Sequence, residues 1–337
     1  MRSLHDALSG ATLGTAIGDA LGLPAEGLSP QAIARRFGAL ERFALLGRTG
    51  FVSDDTEQSL LVLQALLSRG DAKTTAARFR RSLVGWFWRL PFGIGLATLR
   101  ACLRATFGIS RSGVASAGNG AAMRSPVLGV CLRDAADAQV AEFARAVAEV
   151  THTDARAVEG AVFSALFAAH LTRGEDAPAA AAIAMASVTH PELRRALETA
   201  VILAAADTPE RDCAQRLGTS GFVVHSVPWA LCCALRHADA PMEAVRMAIR
   251  HGGDTDTNAA MVGAWLGARH GPEAFPRALV DALAGGPFGV AHAQRLVAAV
   301  GASPAHVPGY AWPLALLRNV ALFPVVLAHG FRRLLPW

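Results

Sequence analysis

Two glycine-rich stretches, GATLGTAIGDALG (10–22) and AAMVGAWLGARHG (259–271), carry a small residue at every fourth position. Residues four apart lie on one face of an α-helix, so each stretch would present a smooth stripe of backbone. Glycine costs a helix interior roughly 1 kcal/mol relative to alanine, so these helices need a compensating contact. We expect the first stripe to pack closely on a neighbouring backbone, and the second stripe is the natural partner.

The rest of the 337-residue chain also favours helices. Hydrophobic residues make up 52% of the chain and the mean hydropathy is +0.32, which excludes a disordered protein. Alternating Val-, Ile- and Thr-rich runs bounded by hairpin turns are absent, so the predicted class is all-α. Helices are predicted over roughly 4–22, 56–69, 74–89, 135–150, 155–172, 178–188, 192–206, 223–237, 241–250, 257–270 and 274–284.

Cysteine usage and hydropathy bear on where the protein works. The five cysteines form no C-x-x-C pair, which is typical of reduced, buried thiols rather than of a disulfide framework or a zinc site. Asp6 and Asp19 interrupt the apolar core that an N-terminal secretory signal would need. No uncharged apolar run reaches the ~18 residues of a membrane span. We therefore expect a cytoplasmic protein without a transmembrane segment.

The motif SDDTE (53–57) opens an amphipathic helix with two adjacent carboxylates. One of them has a structural interpretation, because Asp54 as N-cap with Glu57 three residues later resembles a capping box. Only one side chain can cap the helix, and a second carboxylate adds like-charge repulsion unless a cation is present. The pair therefore indicates more than a helix start.

A second acidic motif, HGGDTDTN (251–258), precedes the second glycine-striped helix. Its paired glycines allow a tight loop in which Asp254 and Asp256 can both point inward. Together the two motifs offer four aspartate carboxylates and several hydroxyl groups, but no thiol. An all-oxygen ligand set suits Mg²⁺ or Mn²⁺ rather than zinc, and four carboxylates suit two ions about 3.5–4 Å apart.

Three further features are ambiguous on their own. The stretch GDALGLPAE (18–26) places Asp19 in an apolar helix and Glu26 after a proline turn, where either is an ordinary cap or loop acid. The stretch GNGAAMR (118–124) is either a generic turn or a loop whose backbone N–H groups face a diphosphate. His152, at a predicted helix N-terminus, is more typical of a structural histidine than of a ligand contact.

Charge is unevenly distributed along the chain, whose formal net charge is +5. Residues 72–133 contain no Asp or Glu but ten cationic side chains. A solvated basic face is the ordinary interpretation, and a surface facing a polyanionic ligand is the alternative. The aromatic run Trp86-Phe87-Trp88 keeps nucleic-acid binding open, although a buried aromatic helix explains it equally well.

Taken in order, these motifs resemble the ADP-ribosylglycohydrolase family, which includes the dinitrogenase-reductase-activating glycohydrolases and the ADP-ribosyl-arginine and ADP-ribosyl-serine hydrolases. The resemblance covers about residues 10–270, and the paired SDDT and GGDTDT motifs are its most specific part. The matching segments are GDALGLPAE (18–26), SDDTE (53–57), GNGAAMRSPVLG (118–129), THTDARAVEGAV (151–162), GFVVHSVPWALCCAL (221–235) and GGDTDTNAAMVGAWLG (252–267).

The resemblance implies a compact, orthogonal multi-helix fold with a binuclear Mg²⁺ or Mn²⁺ centre in a cleft. The metal ligands that it implies are Ser53, Asp54, Asp55, Asp254, Asp256 and Thr257. Glu26 matches a mobile acidic residue that gates or performs the chemistry, with Asp54 and Asp55 as the other candidate acid–base groups. The positions implied for the diphosphate, ribose and adenine are Gly118, Asn119, Gly120, Ala121, Met123, His152 and Phe222.

The implied activity is metal-dependent removal of ADP-ribose from a modified protein side chain, arginine in preference to serine. Cleavage at ribose C1 builds oxocarbenium-like charge, which nearby carboxylates would stabilise. The partners are then an ADP-ribosylated protein as substrate and ADP-ribose as product. One alternative is the same chemistry on serine-linked, nucleic-acid-linked or free ADP-ribose conjugates. Another is an inactive ADP-ribose-binding module, against which the retention of all four aspartates argues.

Residues 1–302 are predicted to form the catalytic domain, and the apolar tail 303–337 lies outside the resemblance. From residue 311 onward the only formal charges are three arginines, and two prolines and a glycine interrupt the apolar run. These breaks disfavour a membrane span and permit two short helices. We expect the tail to fold back over an apolar patch of this chain or of a sister subunit. A surface membrane anchor is the alternative, because aromatic residues beside arginines suit the interfacial region.

Overall fold

The computed structural model describes residues 2–302 and 306–333, and within them the chain is almost entirely helical. The only β-pairing in these residues is a set of isolated bridges, so the all-α prediction is confirmed. Short 3-10 helices cover Leu23–Ala25, Asn119–Ala121 and Pro272–Ala274.

The α-helices of the described part are α1 Leu4–Gly22, α2 Pro30–Phe37, α3 Asp54–Leu67, α4 Ala72–Phe87, α5 Leu96–Thr106, α6 Pro126–Cys131, α7 Asp137–Glu149, α8 Ala155–Arg173, α9 Ala177–Met185, α10 Pro191–Ala205, α11 Glu210–Leu217, α12 Val223–Arg236, α13 Pro241–Arg250, α14 Thr255–His270, α15 Arg277–Ala282, α16 Val290–Ala298 and α17 Trp312–Arg333.

The periodic stretches of the sequence become helices within about three residues of their predicted ends. The exception is 274–284, where Pro276 separates a 3-10 turn from the short α15. The pattern missed the short helices α2, α5, α6, α11 and α16. Helices this short are marginal alone and form because the rest of the fold packs against them, which periodicity does not report.

Helices α1 and α14 pack with their backbones in direct contact along the two glycine stripes. A methyl group on Gly14 would lie 1.9 Å from the Gly263 carbonyl oxygen, and one on Gly10 would lie 2.0 Å from that of Gly267. The predicted contact between the stripes is therefore confirmed. It continues to the end of α1, where a methyl group on Gly22 would lie 2.5 Å from the Cα atom of Asp256. The same contact thus places the acidic loop before α14 beside α1.

Helix α8 lies almost wholly inside the protein and supports α14 from the other side. The indole N–H of Trp265 on α14 donates to the Ser164 carbonyl at 3.1 Å. The rings of Phe163 and Phe167 pack against that indole edge to face. The stripe helices are therefore fixed in a dense aromatic and aliphatic core.

The tail folds back onto the body as one helix, α17, rather than as the two short helices that the breaks in its sequence permit. Its inner face is held by hydrogen bonds from the Trp312 indole to the Gly85 carbonyl and from the Asn319 amide to the Arg89 carbonyl, both 2.8 Å. Arg318 also pairs with the buried Glu57 of α3. The chain stays helical across Pro324. Residues 334–337, with Trp337, lie outside the described part.

Two simpler predictions also meet the structure. Each cysteine is a free thiol, and burial raises the pKa of Cys102 to about 12, as expected for an inert reduced residue. Among the described residues, no helix combines the length and the hydropathy that crossing a bilayer requires.

The glycine contact predicts a large difference between two Gly→Ala variants. Gly14→Ala forces a methyl group into the α14 backbone and should lower the free energy of unfolding by at least about 3 kcal/mol. Gly85→Ala in α4 adds a methyl group to open space, so it should be neutral or stabilising by up to about 1 kcal/mol. Urea denaturation of both variants measures this, and equal stabilities would contradict the packing.

Candidate metal centre and substrate cleft

A cleft of about 470 Å³ opens where the two acidic motifs meet. SDDTE begins α3 and GGDTDT leads into α14, so both carboxylate pairs sit at helix N-termini, where the helix dipole favours negative charge. Loops around residues 93–98, 116–120 and 220–221 form the other walls. A larger groove of about 710 Å³ lies against α1, α15 and α16, but most of its lining is apolar and it contains none of these motifs.

Three carboxylates converge in the cleft: Glu26, Asp254 and Asp256. Each has an oxygen atom within 4.8 Å of one from both others, close enough to share a metal ion. A backbone hydrogen bond of 2.9 Å from Gly27 to the Gly253 carbonyl fixes the two loops that carry them. Glu26 was expected to gate or perform the chemistry, and the structure places it among the potential metal ligands as well.

Asp54 and Asp55 extend the acidic cluster from the start of α3. The Gln58 amide donates to Asp54 Oδ2 at 2.9 Å. The Thr257 hydroxyl lies 3.3 Å from Asp55 Oδ2, which joins the two motifs directly. The other oxygen of Asp55, Oδ1, is buried and has no hydrogen-bond partner. A buried carboxylate oxygen that accepts no hydrogen bond is available as a ligand for a cation.

The electrostatics of the cluster also favour a cation site. Burial raises the pKa of Asp54, Asp55 and Asp256 well above the usual range, because it removes each carboxylate from water. Repulsion adds to the shift: Asp19 and Asp254 act on Asp54, Asp54 acts on Asp55, and Asp254 acts on Asp256. A bound divalent cation would offset both effects. With oxygen donors only, the residues present fit Mg²⁺ or Mn²⁺.

The hydroxyl groups of the two motifs divide into two roles. Ser53 Oγ lies 3.4 Å from Asp55 Oδ2, and Thr257 lines the cleft, so both face the carboxylates. The Thr56 hydroxyl instead donates to Asp19, and that of Thr255 to the Gly22 carbonyl. The second pair therefore holds the backbone in place.

The capping-box interpretation of SDDTE is wrong. Helix α3 takes its cap from α1: the Asp19 carboxylate accepts hydrogen bonds from the Ser53 and Thr56 backbone N–H groups at 2.9 and 3.1 Å. Burial raises the pKa of Asp19 to about 6, against the effect of these hydrogen bonds. Glu57 instead accepts from the Trp86 indole at 2.7 Å. A cap from another helix leaves Asp54 free to face the cleft.

The loop 118–123 lies across the cleft from the carboxylates. The Asn119 amide donates to Asp254 Oδ2 at 2.7 Å, which ties this loop to the acidic cluster. Gly118, Gly120 and Met123 line the cleft. Ala121 is fully buried in a small apolar cluster behind the loop, so the structure places its side chain outside the cleft wall.

His152 lies beneath the same loop. A methyl group on Gly120 would lie 3.1 Å from its Cε1 atom, so glycine allows the loop to rest on the imidazole. Burial, helped by the nearby Arg124 charge, lowers the pKa of His152 to about 3, and the ring is neutral at physiological pH. The ring is 2% exposed, and its Nε2 atom lies on the side of Gly118.

A buried chain of hydrogen bonds links the acidic cluster to His152. From Asp54 it runs through the Gln58 amide (2.9 Å), whose oxygen accepts from Arg124 (2.8 Å). Arg124 also donates to the Thr151 hydroxyl at 2.6 Å, which lies 2.8 Å from His152 Nδ1. Sequence reasoning missed the three intermediate residues. The available signal was an arginine directly after the glycine loop in a segment without acids.

The chain also bears on the tautomer of His152. The Thr151 hydroxyl accepts from Arg124 and lies 2.8 Å from His152 Nδ1 and 3.4 Å from the Ala148 carbonyl. Donation to Nδ1 is the shorter of the two hydrogen bonds open to this hydroxyl, and it would leave the ring proton on Nε2, beneath the glycine loop.

Phe222 lies beside the cleft. Its backbone forms a bridge with Gly118, and the Arg156 guanidinium lies 5.2 Å from the centre of its ring. Within the acid-free segment, Trp86 is fully buried, as the structural interpretation of the aromatic run expected, whereas Trp88 is half exposed.

Comparison with known proteins agrees with this architecture. The model of the ADP-ribosylglycohydrolase family matches residues 1–305. The ADP-ribosylhydrolase ARH3 of Xenopus tropicalis is 26% identical, over 79% of this chain and 88% of its own. An uncharacterized protein of Archaeoglobus fulgidus is 31% identical, over 76% of this chain and 85% of its own.

Two further similarities concern a named enzyme and a solved structure. The ADP-ribosyl-[dinitrogen reductase] glycohydrolase of Rhodospirillum rubrum is 32% identical over 36% of this chain and 43% of its own. A solved structure described as an ADP-ribosylglycohydrolase-related protein complex superposes with a TM-score of 0.66 and 28% identity, covering 95% of this chain and 99% of its own. Because the motifs meet in one cleft and the family model matches residues 1–305, this chain belongs to the ADP-ribosylglycohydrolase family.

Proposed function

We propose that the protein is a metal-dependent hydrolase that removes ADP-ribose from modified protein side chains, with arginine as the preferred linkage. The observation that carries the proposal is the buried, unpartnered Asp55 Oδ1 inside a cluster of carboxylates with raised pKa values. Its residues would hold two Mg²⁺ or Mn²⁺ ions through Ser53, Asp54, Asp55, Asp254, Asp256 and Thr257. Such ions supply Lewis-acid activation of water and of sugar hydroxyl groups.

The residues of the chain stabilise the charge that develops in the reaction. Breaking the bond at ribose C1 places positive charge on the sugar ring, and the carboxylates of the cleft lie where they can offset it. With two divalent cations bound and all five acids ionised, Glu26, Asp54, Asp55, Asp254 and Asp256 would leave the site with an excess of negative charge. A cationic guanidinium linkage is therefore favoured over the neutral serine linkage.

Glu26 is the best placed of the candidate acid–base groups. Asp54 accepts a hydrogen bond from Gln58, and Asp55 is only 1% exposed. Glu26 lines the cleft and is partly exposed, so it can exchange a proton with a water molecule or with the leaving group. Asp54 and Asp55 then act mainly as ligands and as a source of negative charge.

The loop 118–123 and His152 would hold the diphosphate and ribose, and Phe222 the adenine. With its ring proton on Nε2, His152 can donate to an oxygen of the ligand without bringing a second charge into the site. The bridge between Gly118 and Phe222 keeps the two parts of this surface in register.

Activity against defined substrates tests the proposal. We expect ADP-ribose release from arginine-linked protein in Mg²⁺ or Mn²⁺, less from serine-linked protein, and none from ADP-ribosylated nucleic acid. Asp55→Asn and Asp256→Asn should each lower kcat/KM at least about a hundredfold, because each weakens a metal position. The control Asp239→Asn changes an acid whose side chain is 88% exposed, and it should keep wild-type activity. Faster release from ADP-ribosylated nucleic acid would show that nucleic acid is the substrate. Inactivity on all substrates would indicate an ADP-ribose-binding module.

Thermal unfolding tests the metal assignment without an activity measurement. Ions that bind only the folded state stabilise it, by about 2.7 kcal/mol at a hundred times the dissociation constant. Mn²⁺ should therefore raise the Tm of the EDTA-treated protein, Asp55→Asn should reduce the shift, and Asp239→Asn should retain it. A Tm that does not respond to Mn²⁺ or Mg²⁺ would contradict the assignment.

The hydrogen-bond chain to His152 predicts a separation of ligand binding from metal binding. Thr151→Val removes the hydroxyl that orients the imidazole, so the affinity for ADP-ribose should fall about tenfold. The Mn²⁺-induced rise in Tm should persist, because Thr151 does not contact the carboxylates. The exposed Thr199→Val serves as the control. Calorimetric titration with ADP-ribose measures the affinity. Unchanged affinity in Thr151→Val would contradict the idea that the Thr151 hydroxyl orients His152 for ligand binding.

A further inference from the structure

Most of the exposed large apolar side chains lie in three segments of the chain. Of fifteen in the described residues, all but Ile183 and Ile202 belong to the turn at Leu46, to residues 88–109 or to residues 314–331. Single exposed apolar residues are ordinary, but a concentration of them marks an interaction surface.

Helix α17 contributes the largest share, along one face. Its exposed apolar residues, each between 47% and 67% accessible, are Leu314, Leu317, Val320, Phe323, Leu327 and Phe331. The opposite face is tied to the body through Trp312, Arg318 and Asn319. The helix therefore cannot turn its apolar face inward without breaking the contacts that hold it.

The chain beside α17 extends this surface. The Asn319 amide binds the Arg89 carbonyl, so the flanking residues Trp88 and Leu90 lie next to the helix and are 52% and 51% exposed. Arg81, exposed and one turn before Gly85, lies on the α4 face that the Trp312 indole contacts. An exposed cation thus lies on the α4 face against which α17 packs.

Helix α5, which packs on α4, mixes the same two residue types. Leu103 and Phe107, four residues apart, are 40% and 79% exposed, whereas Leu96 belongs to the wall of the substrate cleft. Arg100 and Arg104 are exposed among them. Because α5 and α17 both contact α4, we group the exposed side of α5 with Trp88, Leu90 and the outer side of α17 and name the group the apolar–basic face.

The segments that build this face are without acids, since neither residues 72–133 nor residues 282–337 contain an Asp or Glu. The net charge of the face is therefore positive. Two copies placed face to face would bring like charges together, whereas an anionic bilayer offers the opposite charge and an apolar interior.

We propose that the apolar–basic face docks on the surface of an anionic lipid bilayer, with α17 lying in the plane of the interface. Apolar side chains on one side of a helix, aromatic residues and arginines at the boundary are the features of interfacial helices. The proposal is for a helix that lies on the membrane, and it is independent of the hydrolase activity.

Co-sedimentation with vesicles tests the proposal on the full-length protein. We expect the wild type to pellet with equimolar phosphatidylcholine–phosphatidylglycerol vesicles, to stay in the supernatant with phosphatidylcholine alone, and to be released by added NaCl. Leu317→Glu combined with Phe323→Glu should weaken vesicle binding at least about tenfold. Ile202→Glu, at a site 67% exposed but outside the face, should bind as the wild type does.

Two results would overturn the proposal. The first is vesicle binding that is equal for the double variant and the Ile202→Glu control, or that does not depend on anionic lipid. The second is a dimer, seen by size-exclusion chromatography with light scattering, that the double variant dissociates, because the face would then belong to a second copy. Matching Tm values for the two variants would establish that a loss of binding is not a loss of folding.

Discussion

The direct contact between the backbones of α1 and α14 is the constraint on which the site depends. Because Gly10 and Gly14 face Gly267 and Gly263, and Gly18 lies against the backbone of Ala259, the two helices pack backbone to backbone. This brings the end of α1 against the acidic loop, with Gly22 beside Asp256. From the same helix, Asp19 reaches across to cap α3 and sets the position of Asp54 and Asp55.

This arrangement concentrates negative charge that the protein alone does not neutralise. Buried carboxylates normally lie beside cations or accept several hydrogen bonds, yet Asp55 Oδ1 has no donor. The buried guanidinium of Arg124 reaches Asp54 through Gln58 rather than by a direct hydrogen bond. We interpret the cluster as local destabilisation that a rigid, glycine-packed framework tolerates and that bound divalent cations relieve.

The sequence predicts those features whose signal is local. Glycines at a fixed interval and closely spaced aspartates are visible without a structure. The glycines pack as expected, and aspartates of both motifs line one cleft. The cap of α3 is not visible, because Asp19 lies 34 residues before Ser53 and only the fold joins them. The chain through Gln58, Arg124 and Thr151 is likewise hidden, since each residue is unremarkable in its own segment. Helix α17 is held by hydrogen bonds to distant residues of the chain, and the sequence of the tail alone does not reveal them.

The most direct test of this account is the crystal structure of the protein grown in saturating Mn²⁺, with anomalous diffraction data to locate the metal. The account predicts two anomalous peaks among Asp54, Asp55, Asp254 and Asp256, with Asp55 Oδ1 as a ligand. The Asp19 carboxylate should remain on the Ser53 and Thr56 N–H groups. A cleft that shows no anomalous density between Asp55 and Asp256 under these conditions would contradict the account.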